Sequence, residues 1–424
     1  MAETGDRIEL RSGSLRLLIE LAPLRLSLGN EAEGLHLRGA RPRLKLGEQS
    51  LFADRASVVE PEASGKLKLR ADLDPGLELE LEIALASDPP ALELGLRVSN
   101  RGTRAIEINA LDSLFCDPAD GGELELPGRE LRMLQMGFHS GTPARSTRLS
   151  DQTRAARGGE TAGPRTPAGT RESLTSDVAT QVSAPSGPVL AFGFVSHRNW
   201  FTHVSLRHHG RIARGLRART VFESASVLEP GADLHAERFW ITLLPSRSDG
   251  IAHWASRAAE TMLARAMESE EVLGLEVAGP IESLGPLLDQ DVRVATLRAA
   301  AQLPLSKHTL TGLKTWATAA RARGIRPALC FAPFLLPERS ELADRHPDWF
   351  LSDDGGGLIR LQHRGEPQLV LDPGKPRVQG WLRDLATSLK RAGIYTLELE
   401  RLDACTLPGR RGPEQAPALE AYRR

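Results

Sequence analysis

Two stretches decide the fold of the first half of the chain: LRLLIEL at Leu15–Leu21 and LELELEIAL at Leu77–Leu85. In both, every second residue is apolar, which is typical of a β-strand with one buried face. The same spacing, punctuated at short intervals by Pro, Gly, Asn and Asp, predicts further strands at Leu24–Leu28, Leu67–Leu73 and Leu92–Val98, and strands are predicted to resume at Val189–Val195, Val204–Leu206, Arg217–Val221 and Glu237–Leu244. We therefore expect an antiparallel β-sandwich over residues 1–247, with a long loop over residues 146–176.

The pattern changes after Pro245. Apolar residues at helical spacing predict a helix at Ile251–Met267, within a linker that spans residues 248–270. Strands and helices then alternate, with strands predicted at Val272–Val277, Val292–Leu297, Arg326–Ala332 and Tyr395–Leu399 and helices at Leu310–Arg323 and Val378–Ala392. Such alternation is the signature of βαβ units with parallel strands.

The length of the second part limits its architecture. A (β/α)8 barrel needs about 250 residues, whereas residues 271–424 have room for about four βα units. We expect a multi-domain β plus α/β protein, in which the β-sandwich is followed by an incomplete (β/α)8 TIM barrel.

Composition excludes several classes of protein. The 424 residues include 54 basic and 55 acidic side chains, so bulk charge does not drive binding to nucleic acid. No window approaches the length of apolar sequence that spans a membrane, and no signal peptide is apparent. Cys116, Cys330 and Cys405 lie far apart, which argues against a disulfide scaffold or a zinc finger. These features predict a protein of a reducing, bacterial-type cytoplasm without a cofactor.

Several segments of the second part resemble a known family. They are Gly324–Phe334, Ser340–Leu351 with its HPDW run, Gln368–Pro373 and Gly393–Glu400. Their order and spacing resemble the catalytic domain of bacterial α-galactosidases (melibiases) of glycoside hydrolase family 36, where a large β-sandwich precedes a (β/α)8 barrel. Gly137–Ser140 stands where that family has a Gly-Tyr-Gln-Ser-Trp-like element. The resemblance implies a divergent relative, truncated at its C-terminus, with a partial catalytic barrel.

The resemblance also implies where the chemistry would lie. The family's strand-four motif is Lys-x-Asp, with the Asp as nucleophile, and Glu398-Leu399-Glu400 occupies it here. Glu400 is thus the candidate nucleophile, and Glu398 takes the place of a sugar-contacting lysine. Arg298 stands where the family offers aspartates to galactose, and Cys330 where it has a sugar-facing tryptophan. All four positions are substituted, and the acid/base aspartate belongs to the second half of the barrel.

Glu398 and Glu400 cannot share the two catalytic roles. At i and i+2 on one strand, their Cα atoms are about 6.6 Å apart and both side chains lie on the same face. A retaining glycosidase places its two carboxyl groups on opposite sides of the scissile bond. Glu400 as nucleophile would therefore need an acid/base from elsewhere.

Two other features have simpler explanations than chemistry. Asp372 lies near a strand end, where it could be functional, but it suits an N-cap for the following helix. His197, His203, His208 and His209 cluster in sequence, but their spacing fits no known metal motif, so solvated strand histidines are favoured over a metal site.

Three functional hypotheses follow. The chain is an α-galactosidase-like retaining hydrolase, a degenerate relative that binds carbohydrate or supports an assembly without catalysis, or a purely structural fragment. Because the family's catalytic positions are substituted, we expect a pseudoenzyme with glycoside-hydrolase architecture that does not turn over substrate by itself. Carbohydrate is the expected ligand, and neither nucleic acid nor membrane is an expected partner.

The first prediction concerns self-association. Four βα units leave two free sheet edges and an inner face of Leu, Val and Ala, and each Å² left in water costs about 25 cal/mol. We predict a homo-oligomer, most simply a two-fold dimer in which the partial barrels face each other. Sedimentation or light scattering measures this. A stable monomer at micromolar concentration that binds no apolar dye would contradict it.

Overall fold

The computed structural model shows two units, Met1–Arg265 and Ala266–Arg424. The residues that it describes are 2–4, 6–59, 66–74, 76–136, 144–149, 173–197, 200–246, 248–262, 274–277, 294–298, 305–353, 355–363, 365–407 and 409. Each unit is built from its own sheets, and each has its own buried core.

The first unit is the predicted antiparallel β-sandwich. Among the described residues its first sheet contains β1 (Ala2–Thr4), β2 (Arg7–Ser12), β3 (Leu15–Leu21), β4 (Leu24–Asn30), β5 (Leu35–Leu46), β6 (Gln49–Leu51), β11 (Ile106–Cys116), β12 (Glu123–Glu125), β15 (Ser173–Ser176), β18 (Phe201–His209) and β19 (Ile212–Leu228). Its main path runs β1-β2-β3-β4-β5-β11-β19-β18-β15, and β6 and β12 also pair with β5.

The second sheet of the sandwich is also antiparallel. It contains β7 (Ser57–Val59), β8 (Leu67–Leu73), β9 (Leu77–Ser87), β10 (Pro90–Asn100), β13 (Arg132–Gln135), β14 (Arg145–Arg148), β16 (Ala179–Ser183), β17 (Val189–Phe194), β20 (Asp233–His235) and β21 (Phe239–Leu244). Its order is β14-β13-β16-β17-β21-β10-β9-β8-β7, with β20 paired to β10.

Alternating burial explains why these strands pack as two layers. In β9 the side chains of Leu79, Leu81 and Ile83 are buried, while the glutamates between them face away from the core. The same alternation occurs in β3, and buried residues of both sheets belong to one apolar cluster. Each such leucine contributes about 1.5–3 kcal/mol relative to full exposure, so the alternation itself holds the layers together.

The predicted loop at 146–176 is wrong at both ends. Arg145–Arg148 forms β14, which pairs with β13, and Ser173–Ser176 forms β15, which pairs with β18. The sequence RSTR has no apolar alternation, because this edge strand has no buried face, so periodicity could not reveal it. Residues 150–172 lie outside the described residues, as does the Gly137–Ser140 element.

Helix α1 (Gly250–Thr261) packs on the outer face of the second sheet, the face turned away from the sandwich core. Asp249 caps it by accepting the Ala252 N–H at 3.0 Å. Ala258 is buried there with Trp240 of β21. The predicted helix extended to Met267, but α1 ends at Thr261, and residues 263–273 lie outside the described part.

The second unit contains a parallel sheet in the order β22 (Gly274–Val277), β23 (Val294–Arg298), β24 (Arg326–Phe331) and β28 (Thr396–Leu399). Helix α2 (Lys307–Ala322) precedes β24, and helix α4 (Pro376–Arg391) precedes β28. Each of these helices is followed two residues later by a glycine of positive φ that turns the chain into the next strand. Among the described residues, no helix is long and apolar enough to cross a membrane.

An antiparallel insertion separates β24 from α4. It comprises β25 (Leu335–Pro337), helix α3 (Glu341–Arg345), β26 (Arg360–His363) and β27 (Glu366–Val370), in the sheet order β25-β27-β26. The sequence did not predict these strands, because at three to five residues they are too short to show a clear apolar–polar alternation. The insertion packs against the carboxyl end of the parallel sheet through Leu335 and Val370.

A buried carboxylate ties together three strands of the first sheet. Asp112 of β11 is fully buried and accepts hydrogen bonds at 2.6 Å from the Nε atoms of Arg43 on β5 and Arg219 on β19. Burial alone would lower the pKa of Arg219, but the hydrogen bonds to Asp112 raise it above the ordinary value. The Arg43 guanidinium also lies 3.4 Å from the centre of the Phe115 ring.

The second prediction concerns this carboxylate. Asp112→Asn should destabilise the sandwich by about 3–5 kcal/mol, because it leaves two partly buried guanidinium groups without their counter-charge. Urea unfolding followed by circular dichroism measures the loss. The matched control is Glu20→Gln, which removes a half-exposed strand glutamate paired with Arg7 and should cost about 0–1 kcal/mol. Equal losses in the two variants would contradict the prediction.

Candidate functional site

Three of the four predicted site residues lie in one row across the parallel sheet. Arg298 of β23 is opposite Cys330 of β24, and Cys330 is opposite Glu398 of β28. Parallel strands end at the same edge of a sheet, and ligands of α/β proteins bind at that carboxyl edge. The structure thus brings together positions that are far apart in the sequence.

The two faces of this sheet differ in character. Leu329 and Phe331 of β24 pack in a core with Leu313 of α2 and Leu385 of α4. Because side chains alternate along a strand, Cys330 lies on the face opposite this helix-covered core. Its registered partner Glu398 shares that face, and so does Glu400 two residues further on. Cys330, Glu398 and Glu400 therefore share one face.

The four residues differ in their accessibility. Glu398 is exposed and Glu400 is half-buried, so both carboxylates can meet a ligand. Cys330 is completely buried and does not reach the surface where the family's tryptophan would contact a sugar. The backbone of Arg298 ends β23.

Glu400 is held in place by its backbone and by the segment after it. Its N–H donates to the carbonyl oxygen of Phe331 at 2.9 Å, which continues the pairing of β28 with β24. The next residue, Arg401, has a left-handed backbone with φ of 53° and turns the chain into a short 3-10 helix at Leu402–Thr406. Ala404 of that helix is buried against Leu335 and Val370 of the insertion. The strand end is therefore fixed on both sides.

A histidine that sequence reasoning missed lies beside the candidate nucleophile. Nε2 of His363, at the end of β26, is 3.8 Å from Oε2 of Glu400, and both side chains are partly buried. When protonated, this imidazole favours the charged form of the carboxylate. No motif marks His363; only the hairpin turn at Gly365, with φ of 83°, hints that this segment folds back.

Asp372 is not the N-cap of the following helix. Helix α4 has Lys375 as its N-cap, and no side chain caps it. Asp372 instead accepts the Gly374 N–H at 3.0 Å in an Asx-type turn, and its own N–H donates to the Trp349 carbonyl oxygen at 2.9 Å. The aspartate is fully buried and shapes the turn that precedes α4.

The clustered histidines bond separately. His203 Nδ1 lies 3.2 Å from Oδ1 of Asp177, His197 Nε2 lies 3.1 Å from the carbonyl oxygen of Phe194, and His208 Nδ1 lies 3.1 Å from that of Gly210. His203 and His208 are buried rather than solvated, contrary to the expectation. In the part of the chain that the structure describes, no group of three or more metal-binding side chains comes together.

Comparison with known proteins places the fold. No protein-family model matches this sequence. Among solved structures, the chain is similar to the family 36 α-galactosidase AgaA from Geobacillus stearothermophilus, with a TM-score of 0.67 and 14% identity over 98% of this chain and 70% of that chain. It is also similar to AgaB from the same organism, with a TM-score of 0.65 and 14% identity over 99% of this chain and 69% of that one.

A third similar structure is the α-galactosidase from Lactobacillus brevis, with a TM-score of 0.62 and 11% identity over 93% of this chain and 63% of that chain. Such low identities show the fold alone. The chain has a fold like that of family 36 α-galactosidases, including their N-terminal β-sandwich.

The third prediction concerns the turn after Glu400. Both Arg401→Gly and Arg401→Ala remove the guanidinium that lies 3.3 Å from Asp403, but only glycine adopts the left-handed backbone without strain. The glycine variant should therefore be more stable than the alanine variant by about 0.5–1 kcal/mol. Thermal unfolding compares the pair. An alanine variant at least as stable as the glycine variant would contradict the left-handed turn.

Proposed function

We propose that this chain is an α-galactosidase-like carbohydrate-binding protein whose catalytic motif is substituted, so that it recognises sugar without hydrolysing it. In this proposal the parallel strands β22, β23, β24 and β28 correspond to the first four strands of a (β/α)8 barrel. The observation that carries it is the half-buried Glu400 carboxylate beside His363, at the carboxyl end of a sheet whose fold is shared with family 36 α-galactosidases.

The placement of the carboxylates supports sugar binding more than sugar hydrolysis. A retaining glycosidase needs a nucleophile and an acid/base on opposite sides of the sugar. Glu398 and Glu400 lie on the same side of one strand, so together they supply acceptors for sugar hydroxyl groups but only one of the two roles. Cys330 is buried and offers no aromatic surface for stacking.

A hydrolase remains the second candidate because of one observation. His363 lies 3.8 Å from Glu400 and could exchange a proton with a group at the strand end. If this pair acts in catalysis, Glu400 is the nucleophile.

Two further features accompany the proposal. Cys116, Cys330 and Cys405 are buried and are not joined in disulfides, which supports a reducing compartment such as the cytoplasm. Tyr395, Leu397 and Leu399 on or beside β28 are 67%, 39% and 42% exposed, and this apolar strip supports the proposed self-association.

The fourth prediction concerns activity. Purified protein should release p-nitrophenol from p-nitrophenyl α-galactoside no faster than buffer, while Glu400→Gln should reduce the amount of galactose bound. Glu20→Gln, which changes a remote strand glutamate, should leave binding unchanged. Turnover that disappears in Glu400→Gln would establish the hydrolase instead. Binding that Glu400→Gln leaves unchanged would refute a sugar site at the strand end.

A further inference from the structure

A polar pocket of about 490 Å³ opens on the outer face of the second sheet of the sandwich. Its lining includes Glu80 and Glu82 of β9, Gly95 and Arg97 of β10, His235 of β20 and Arg238. All of its lining residues belong to the first unit, so the pocket is separate from the strand-end site. Its volume lies in the range of small-molecule sites.

One of the residues that line the pocket on the outer face is a glycine, Gly95, which carries no side chain. Along β10, Ala91 and Glu93 are buried in the region covered by α1, where Glu93 is ion-paired with Arg257 of that helix. Gly95 is the next residue on the same face, and Thr261, the last residue of α1, lines the pocket beside it. A Cβ built on Gly95 would lie 3.6 Å from both Glu82 and Arg238, so a larger side chain would occupy the hollow.

Charged side chains surround the hollow in two cross-strand rows. Gly95 is opposite Glu82 in the first row, and Arg97 stands between Glu80 and His235 in the second. The carboxylates of Glu80 and Glu82 thus lie on the β9 side of the pocket and the guanidinium groups on the other side, where Arg97 is also ion-paired with Asp233. This arrangement offers fixed acceptors and fixed donors a few ångströms apart.

Hydrogen bonds within the protein hold these groups in place without a ligand. Nη2 of Arg238 donates to Oε1 of Glu82 at 2.9 Å, and the Arg238 backbone N–H donates to Ser196 Oγ at 2.8 Å. Burial would raise the pKa of Glu82, but hydrogen bonds from Lys66 and Arg238 outweigh it and hold the pKa below its usual value. The carboxylate therefore stays ionised near neutral pH and acts as an acceptor.

The presence of both signs of charge in the lining selects the kind of ligand. A strongly anionic or cationic molecule would be repelled by the like-charged half of the lining. A neutral molecule with adjacent hydroxyl groups can donate to Glu82 and Glu80 and accept from Arg97 and Arg238 at the same time. We propose that this pocket of the β-sandwich binds a neutral sugar of one or two rings, as a second carbohydrate site independent of Glu400.

The test counts bound sugar by equilibrium dialysis with radiolabelled galactose. The parent protein should bind two galactose molecules per chain, and Gly95→Leu should bind one, with affinity at the filled pocket reduced about ten-fold or more. Gly380→Leu is the control, because Gly380 lies in α4 with open space around it and should leave both sites intact. Circular dichroism confirms that each variant is folded.

A second pair of variants keeps the test decisive if Gly95→Leu does not fold. Glu82→Gln removes a pocket acceptor and should weaken one of the two sites, whereas Glu20→Gln removes a comparable ion-paired strand glutamate outside the pocket and should change neither. If Gly95→Leu or Glu82→Gln binds galactose as the parent does, the sandwich site is refuted. If Glu400→Gln alone binds as the parent does, the strand-end proposal fails while the sandwich site stands.

Discussion

Every second residue from Leu77 to Ile83 on β9, and from Leu92 to Val98 on β10, is buried between the two sheets of the sandwich. The pleat of a strand allows no other arrangement once one face is buried. A shift of the strand register by one residue would expose every one of these leucines to water. The same constraint decides what the outer face carries. On β9 and β10 the residues of this face cannot join the core between the sheets, so they are charged or small, and the charged ones pair with side chains of neighbouring elements. The buried layer thus fixes the rows of charges on the outside.

The sequence predicts those strands in which one buried face produces an alternation of apolar and polar residues. The bounds predicted for Leu15–Leu21 and Leu67–Leu73 agree with β3 and β8, since each of these strands has one buried face. This alternation is absent where a strand is short, polar or at an edge, as in Arg145–Arg148 and Arg360–His363. These strands form because a neighbouring strand offers unpaired N–H and C=O groups, β13 for Arg145–Arg148 and β27 for Arg360–His363.

The sequence likewise predicts one part of the candidate site and not the other. The resemblance to family 36 located Arg298, Cys330 and Glu398 at strand ends, and the parallel register brings them into one row. It could not reveal that Cys330 is completely buried, because burial depends on tertiary packing around the sheet. Nor could it reveal His363, whose approach to Glu400 depends on how a polar hairpin folds back. The placement of these residues at strand ends follows from the sequence pattern of strands and helices. The contacts made by the inserted segment depend on tertiary packing.

The outer faces of the two sheets show how one residue decides between a structural cluster and a cavity. On the first sheet, Asp112 fills the space between Arg43 and Arg219, and the three charges satisfy one another in a closed group. On the second sheet, Arg97 and Arg238 stand near Glu80 and Glu82 in a similar cross-strand arrangement, but the position between them is Gly95. Arg238 reaches Glu82 beside this glycine, and because Gly95 carries no side chain, part of the space next to this ion pair stays open as the pocket. A neutral hydroxylated ligand is the kind of molecule that can complete such a group without adding a net charge to it.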